Sequence, residues 1–243
     1  MGHVIRPVMV AKINVDKSLM TYFENFGEGI QMPVVGWYVD ADGTDVLIDC
    51  GASSEVCDAY WHGGSEDVQS FEDALGKYGK KPEDIDYLIA THLHFDHMGN
   101  ARKCKNAKVV VQDTELKFAY SPHPLFAGIY PKEIYVDLNF NPVSGEQEIV
   151  PGIRVIPAPG HTPGTQSVAV ETDKGTAVIT GFCCINDNFE VPDEMKPMWP
   201  MFTPGIHTNA LDAYDSALRA KGIADILIPG HSMEFASMDR IPG

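Results

Sequence analysis

Four side chains able to bind a metal fall within six residues in His92-Leu93-His94-Phe95-Asp96-His97. The run follows Ile85-Asp86-Tyr87-Leu88-Ile89-Ala90, which reads as a buried strand. A packed core has no use for imidazoles and a carboxylate this close together, because each would need its own buried partner. On an extended segment, residues two apart point the same way, so His92 and His94 can grip one ion. Asp96 and His97 turn into the following loop or helix start and can grip a second. Imidazole with carboxylate suits zinc, manganese or iron(II). The competing reading is a polar loop that happens to follow a strand.

Two more histidines stand on glycine-bounded turns after strands. His161 lies in Pro157-Ala158-Pro159-Gly160-His161-Thr162-Pro163-Gly164, directly after the strand Ile153–Ile156. His231 lies in Ile228-Pro229-Gly230-His231, directly after the last strand. Small residues let the backbone fold tightly there and carry an imidazole inward. Strand ends are where α/β sheets place their chemistry. Alone, either would read as a turn histidine; beside the first run, both read as ligands. No Gly-x-Ser-x-Gly elbow occurs, which argues against a serine nucleophile. His207, just before a helix start at Thr208-Asn209, has both a surface reading and a pocket-facing one.

Strands and helices must bring these residues together. Strands are predicted over His3–Ile13, Pro33–Val39, Asp45–Asp49, Ile85–Ala90 and Lys108–Gln112. The second half repeats the pattern over Glu148–Val150, Ile153–Pro157, Gln166–Glu171, Thr176–Thr180 and Asp225–Pro229. Asp40-Ala41-Asp42-Gly43 makes the second and third strands a hairpin. Helical spacing of apolar residues marks Asp67–Tyr78 and Thr208–Ala220, and Asp113-Thr114 starts a helix to about Tyr120. The proline-rich segments Ser121–Lys132 and Pro192–Pro204 read as loops that shape a pocket, the first as a lid. Strands with interspersed helices in both halves predict a layered α/β domain.

Composition narrows the partners. The chain has 34 acidic and 18 basic residues, a net charge of −16, and no basic run, so nucleic acid is not an expected partner. No window of about 18 apolar residues exists, so no membrane span is expected. Met1–Pro7 lacks the charged and apolar regions of a secretory signal. Five cysteines, an odd number without a Cys-x-x-Cys pair, fit reduced thiols in a cytoplasmic protein. The expected partner is a small-molecule substrate; oligomeric state is not legible.

His92-x-His94-x-Asp96-His97, Gly160-His161-Thr162-Pro163-Gly164 and Pro229-Gly230-His231 together resemble the metallo-β-lactamase superfamily of hydrolases. Leu47-Ile48-Asp49-Cys50-Gly51 matches that superfamily's early strand and its Asp-x-Gly turn. The matches run in order from about residue 45 to 235. Chain length, Gly-His-Thr-Pro-Gly-Thr-Gln-Ser and the late proline-Gly-His are most similar to the N-acyl homoserine lactonase-like branch. The resemblance implies an αββα four-layer sandwich, with residues 1–243 forming a single domain of two similar halves. It implies that His92, His94 and His161 hold a first metal ion and that Asp96, His97 and His231 hold a second. Asp49 would orient a ligand imidazole from behind.

One position departs from the pattern. The superfamily's hydrolases place a metal-bridging aspartate after the glycine that here is Gly181, and this chain has Phe182. The lactonase tyrosine three residues on is replaced by Ile185. Three readings follow: a shift by one residue that makes Cys183 a thiolate ligand, a site holding only one ion firmly, or two ions bridged without protein help. Losing one carboxylate leaves the site more positive, which favours anions and a more acidic bound water. The function implied is metal-dependent hydrolysis, a metal-bound hydroxide opening a lactone, cyclic amide or small ester with Asp96 managing the proton. One or two zinc ions are expected, with manganese or iron(II) as alternatives. The competing functions are a mononuclear iron dioxygenase or other sulfur-compound oxidoreductase of the same fold, and a non-catalytic metal-binding homologue.

Overall fold

Alternation along each strand decides which layer its side chains enter. In the computed structural model, which describes residues 2–242, two sheets form. The first contains β1 (Ile5–Asp16), β2 (Gly29–Ala41), β3 (Thr44–Ile48), β4 (Ser65–Asp67), β5 (Tyr87–Ile89), β6 (Lys108–Gln112) and β7 (Phe140–Val143), in the order β4-β1-β2-β3-β5-β6-β7. The second contains β8 (Gln147–Val150), β9 (Ile153–Pro157), β10 (Gln166–Thr172), β11 (Gly175–Ile179) and β12 (Ile226–Ile228), in the order β12-β11-β10-β9-β8. The expected hairpin is present, with Trp37 opposite Ile48 in antiparallel register. From β3 through β5 and β6 to β7 the pairing is parallel.

Among the described residues, seven α-helices cover these sheets: α1 (Ser54–Tyr60), α2 (Phe71–Gly76), α3 (Phe95–Met98), α4 (Asp113–Tyr120), α5 (Lys132–Tyr135), α6 (Ala210–Ile223) and α7 (Met233–Ala236). Between the sheets lie Trp37, Val39, Val46, Ile48, Ile89 and Val110, meeting Val155, Val168, Val170 and Ile179. Their neighbours one residue along, Tyr38, Leu47, Leu88, Val109 and Val111, turn the other way and pack with Phe71, Leu75 and Tyr135 under the helices. On the far side, Ile156, Ala169 and Val178 face Ala217 and Ala220 of α6. The result is the α/β/β/α four-layer arrangement. Each fully buried Val or Ile in the middle layer contributes about 1.5–3 kcal/mol.

Some element bounds differ from expectation. The segment expected as one helix from Asp67 to Tyr78 is instead edge strand β4, a turn, and a helix that begins at Phe71. Ser70 accepts from the Asp73 N–H and so caps that helix where the pattern alone did not. Helix α1, capped by Ser53, and edge strand β7, which contains Pro142, have no strong periodicity and carry no signal. Helix α6 starts after Asn209, whose side chain accepts from the Leu211 and Asp212 N–H groups. The 121–132 loop holds a short 3-10 turn, Ala127–Ile129, and runs into α5. All five cysteines are buried and free. Among the described residues, no helix is long and apolar enough to cross a membrane.

Candidate metal centre

The parallel course of β3, β5 and β6 puts their carboxyl ends on one rim, and β11 and β12 are also parallel to each other. Asp49 follows β3, Thr91 to His94 follow β5, His161 follows β9, and His231 follows β12. Gln166 stitches the two sheets together beside this rim. Its N–H donates to Thr91 O at 2.9 Å and its side chain donates to Ala90 O at 2.7 Å. His94 stands at the N-cap of α3, so one turn of helix carries Asp96 and His97 back over the same spot.

Six of the expected residues meet. One ligand atom from each of His92, His94 and His161 lies within 4.8 Å of the others. The same holds for Asp96, His97 and His231. The two groups adjoin, with the His92 and His97 rings 4.0 Å apart. Asp96 Oδ2 lies 3.4 Å from His97 Nε2 and 3.9 Å from His231 Nε2.

The outward ring nitrogens are held from behind. His161 Nδ1 donates to Ile206 O at 2.7 Å, and His231 Nδ1 to Pro33 O at 3.2 Å. Thr91 donates its hydroxyl to Asp49 Oδ2 at 2.8 Å, so its oxygen accepts from His92 Nδ1 at 3.1 Å. His97 Nδ1 lies 2.7 Å from Asp49 Oδ2. These partners assign the proton of His92 and His161 to Nδ1 and leave Nε2 as a lone pair. Yet the two Nε2 atoms face each other at 3.2 Å. Two lone pairs so placed repel unless a cation lies against them. His94 Nε2 is also buried without a partner. The donor set therefore fits divalent ions, and the outer hydrogen bonds are the kind that orient ligand imidazoles.

Electrostatics point the same way. Burial pulls the imidazoles of His92 and His94 well below the usual histidine range, and those of His161 and His231 down to about 4. Neutral imidazole is the metal-binding form. At His97 burial acts in that direction too, but Asp96 and Asp49 outweigh it and raise the imidazole to about 9. Two carboxylates flanking one buried spot call for positive charge there, which a proton or a cation supplies.

The residues expected to interrupt the site sit differently. Phe182 does not occupy the bridging position. It is 1% exposed and packs with Ile156, Met201 and Ala217 in the layer under α6. The next residue, Cys183, lines the site cavity instead. Cys183 joins neither donor group. Its thiol points to Met20 Sδ at 3.4 Å, and burial pushes it well above the usual thiol range. Cys184 is tied to the His231 turn, its carbonyl accepting the His231 N–H at 3.0 Å. His207 does not line the cavity; its ring donates to Pro204 O and lies edge-on to Tyr22.

A cavity of roughly 190 Å³ opens above the donors. His94, Asp96, His97, His161 and His231 form its floor, and its walls are Ile13, Val15, Met20, Met32, Trp61 and Ile206. The 121–132 loop supplies Ile129, whereas the 192–204 segment supplies no lining residue. Sequence reasoning missed one buried carboxylate beneath the floor, Glu115, whose only local signal is that of an acid in the first turn of a helix.

The turn that delivers His161 depends on Gly160. Its φ is +126°, and a Cβ there would lie 2.1 Å from Ala213 N. Gly160→Ala is expected to lower stability by about 1–3 kcal/mol, because both the backbone conformation and the contact with α6 oppose a side chain. Urea unfolding measures this; a midpoint equal to wild type contradicts the close approach.

The Metallo-beta-lactamase superfamily model matches residues 30–231. An N-acyl homoserine lactonase of Bacillus thuringiensis is 30% identical over 229 residues, covering 88% of this chain and 87% of that one. A solved quorum-quenching N-acyl homoserine lactone lactonase superposes with a TM-score of 0.78 at 25% identity, over 96% of this chain and 94% of its own. Another N-acyl homoserine lactone hydrolase has the product N-hexanoyl-L-homoserine at its catalytic metal centre. It superposes at 0.75 and 25% identity, over 96% of this chain and 94% of that one. The chain belongs to the metallo-β-lactamase superfamily of hydrolases, and within it resembles the N-acyl homoserine lactonases.

Proposed function

We propose that this chain, as one domain of two halves, opens lactones that carry an apolar arm. The observation that carries the reading is the meeting of two three-residue donor groups on the floor of an apolar cavity. His92, His94 and His161 would hold one ion, and Asp96, His97 and His231 another; zinc suits these donors, as do manganese and iron(II). Such ions, when bound, polarise a carbonyl and acidify a coordinated water. The remaining work belongs to the protein. Asp49, Thr91, Ile206 O and Pro33 O hold four imidazoles in fixed orientation, so little reorganisation is needed during the reaction. The Asp96 carboxylate takes a proton from the attacking water and returns it to the alkoxide that leaves when the ring opens.

Beyond the floor, Ile13, Met20, Met32, Trp61 and Ile206 exclude water and offer only apolar surface, which suits an acyl or alkyl arm. The structural relative that carries N-hexanoyl-L-homoserine supports a substrate of this shape. Cys183 is proposed as a cavity-wall thiol beside Asp96 rather than a ligand, so Cys183→Ala is expected to leave the metal count unchanged, and a drop in stoichiometry would make it a ligand.

Hydrolysis of N-acyl homoserine lactones of increasing chain length tests the reading. Each methylene taken into the cavity is worth about 0.8 kcal/mol, so kcat/KM is expected to rise by up to roughly fourfold per carbon until the cavity is full. A response independent of chain length, or no lactone opening by metal-loaded protein, sinks it.

A further inference from the structure

Glu115 stands outside both donor groups, in the first turn of α4, and is completely buried. Three donors converge on its carboxylate. The Leu93 N–H donates to Oε1 at 2.9 Å, and the Tyr130 hydroxyl donates to the same oxygen at 2.8 Å. The Thr162 hydroxyl donates to Oε2. Burial raises this carboxyl, and its hydrogen-bond donors pull it back.

The identity of the donors matters more than their number. Leu93 lies between His92 and His94, and Thr162 directly follows His161. Tyr130 packs edge-on against His94 with ring centroids 4.6 Å apart. Gly164 closes the His161 turn against the Glu115 backbone, where a Cβ would come within 2.0 Å of Glu115 N. One carboxylate therefore ties together segments separated in sequence by 15 to 47 residues.

We propose that Glu115 is a positioning residue for the first donor group, clamping the His92–His94 segment, the His161 turn and Tyr130 into one unit that sets how tightly this group holds a divalent ion. The proposal rests on reading His92, His94 and His161 as ligands. The carboxylate accepts on both oxygens at once. Glutamine at this position would turn its NH2 either against the Leu93 N–H, which can only donate, or against the Thr162 hydroxyl, which would have to reverse from donor to acceptor, so at least one anchor would weaken.

Zn2+ affinity provides the test, read without any lactone. In a His231→Ala background, which disables the second group, Glu115→Gln is expected to weaken Zn2+ binding about ten- to a hundredfold. In a His161→Ala background, which disables the first, the same change is expected to leave Zn2+ affinity as it was. Unchanged affinity in the first background overturns the proposal, and so does an equal loss in both, which would mean general loosening of the fold. Should Glu115→Gln not fold, Thr162→Val removes one of the three donors at similar volume; it is expected to weaken Zn2+ severalfold in the His231→Ala background only, and unchanged affinity there overturns the clamp. A protein that shows the selective Zn2+ effect but opens no lactone keeps the clamp and loses the lactonase reading. One that opens lactones with Zn2+ binding indifferent to Glu115→Gln does the reverse.

Discussion

Asp96→Asn is expected to slow lactone opening about a hundred- to ten-thousandfold while the protein stays folded. Asparagine has the shape of aspartate but neither its charge nor its capacity to take a proton from water. The position suits a proton carrier. It lies on the single turn of α3, on the cavity floor, with Oδ2 between His97 Nε2 and His231 Nε2. The change also removes the only carboxylate of the second donor group, so weaker retention of one ion is expected alongside. Steady-state hydrolysis at saturating metal separates the two effects. A loss of less than tenfold under those conditions removes Asp96 from the proton path.

Phe182→Asp, which restores the superfamily's usual residue, is expected to destabilise the protein by more than about 5 kcal/mol rather than rebuild a bridge. The side chain faces Ile156, Ala169, Val178 and Ala217, not the histidines. Losing a large aromatic from such a place costs about 3–5 kcal/mol, and the new carboxylate would be buried without a partner. Cys183→Asp makes the opposite comparison, because that side chain borders the cavity beside Asp96. It is expected to cost much less. Thermal unfolding of the two variants decides the matter. A Phe182→Asp protein that unfolds at the wild-type temperature would place residue 182 in the site after all.

Much of the centre was legible because its residues obey local rules. His92-x-His94-x-Asp96-His97 sits after an apolar run, and His161 and His231 sit on glycine turns after strands, so topology alone brings them to one rim. The alternation of Val46-Leu47-Ile48 and Val109-Val110-Val111 likewise announces buried strands with two apolar faces. What was not legible depends on tertiary contact. Glu115 carries the signature of any acid in a first helical turn, and its partners Leu93, Tyr130 and Thr162 are remote in sequence. The orientation of Phe182 is set by the outer layer under α6 rather than by a motif, so position counting placed the wrong side chain in the site. Short edge elements such as β4 and β7 are held by pairing and carry little pattern of their own.

The central claim is that the two donor groups are a metal centre that opens lactones. Its most direct measurement follows metal content and N-acyl homoserine lactone hydrolysis on the same samples, before chelation, after chelation and after Zn2+ is returned. Metal and hydrolysis are expected to disappear together and to come back together, with the fold retained throughout. Undiminished hydrolysis by metal-free protein, or reloaded metal without hydrolysis, would contradict it.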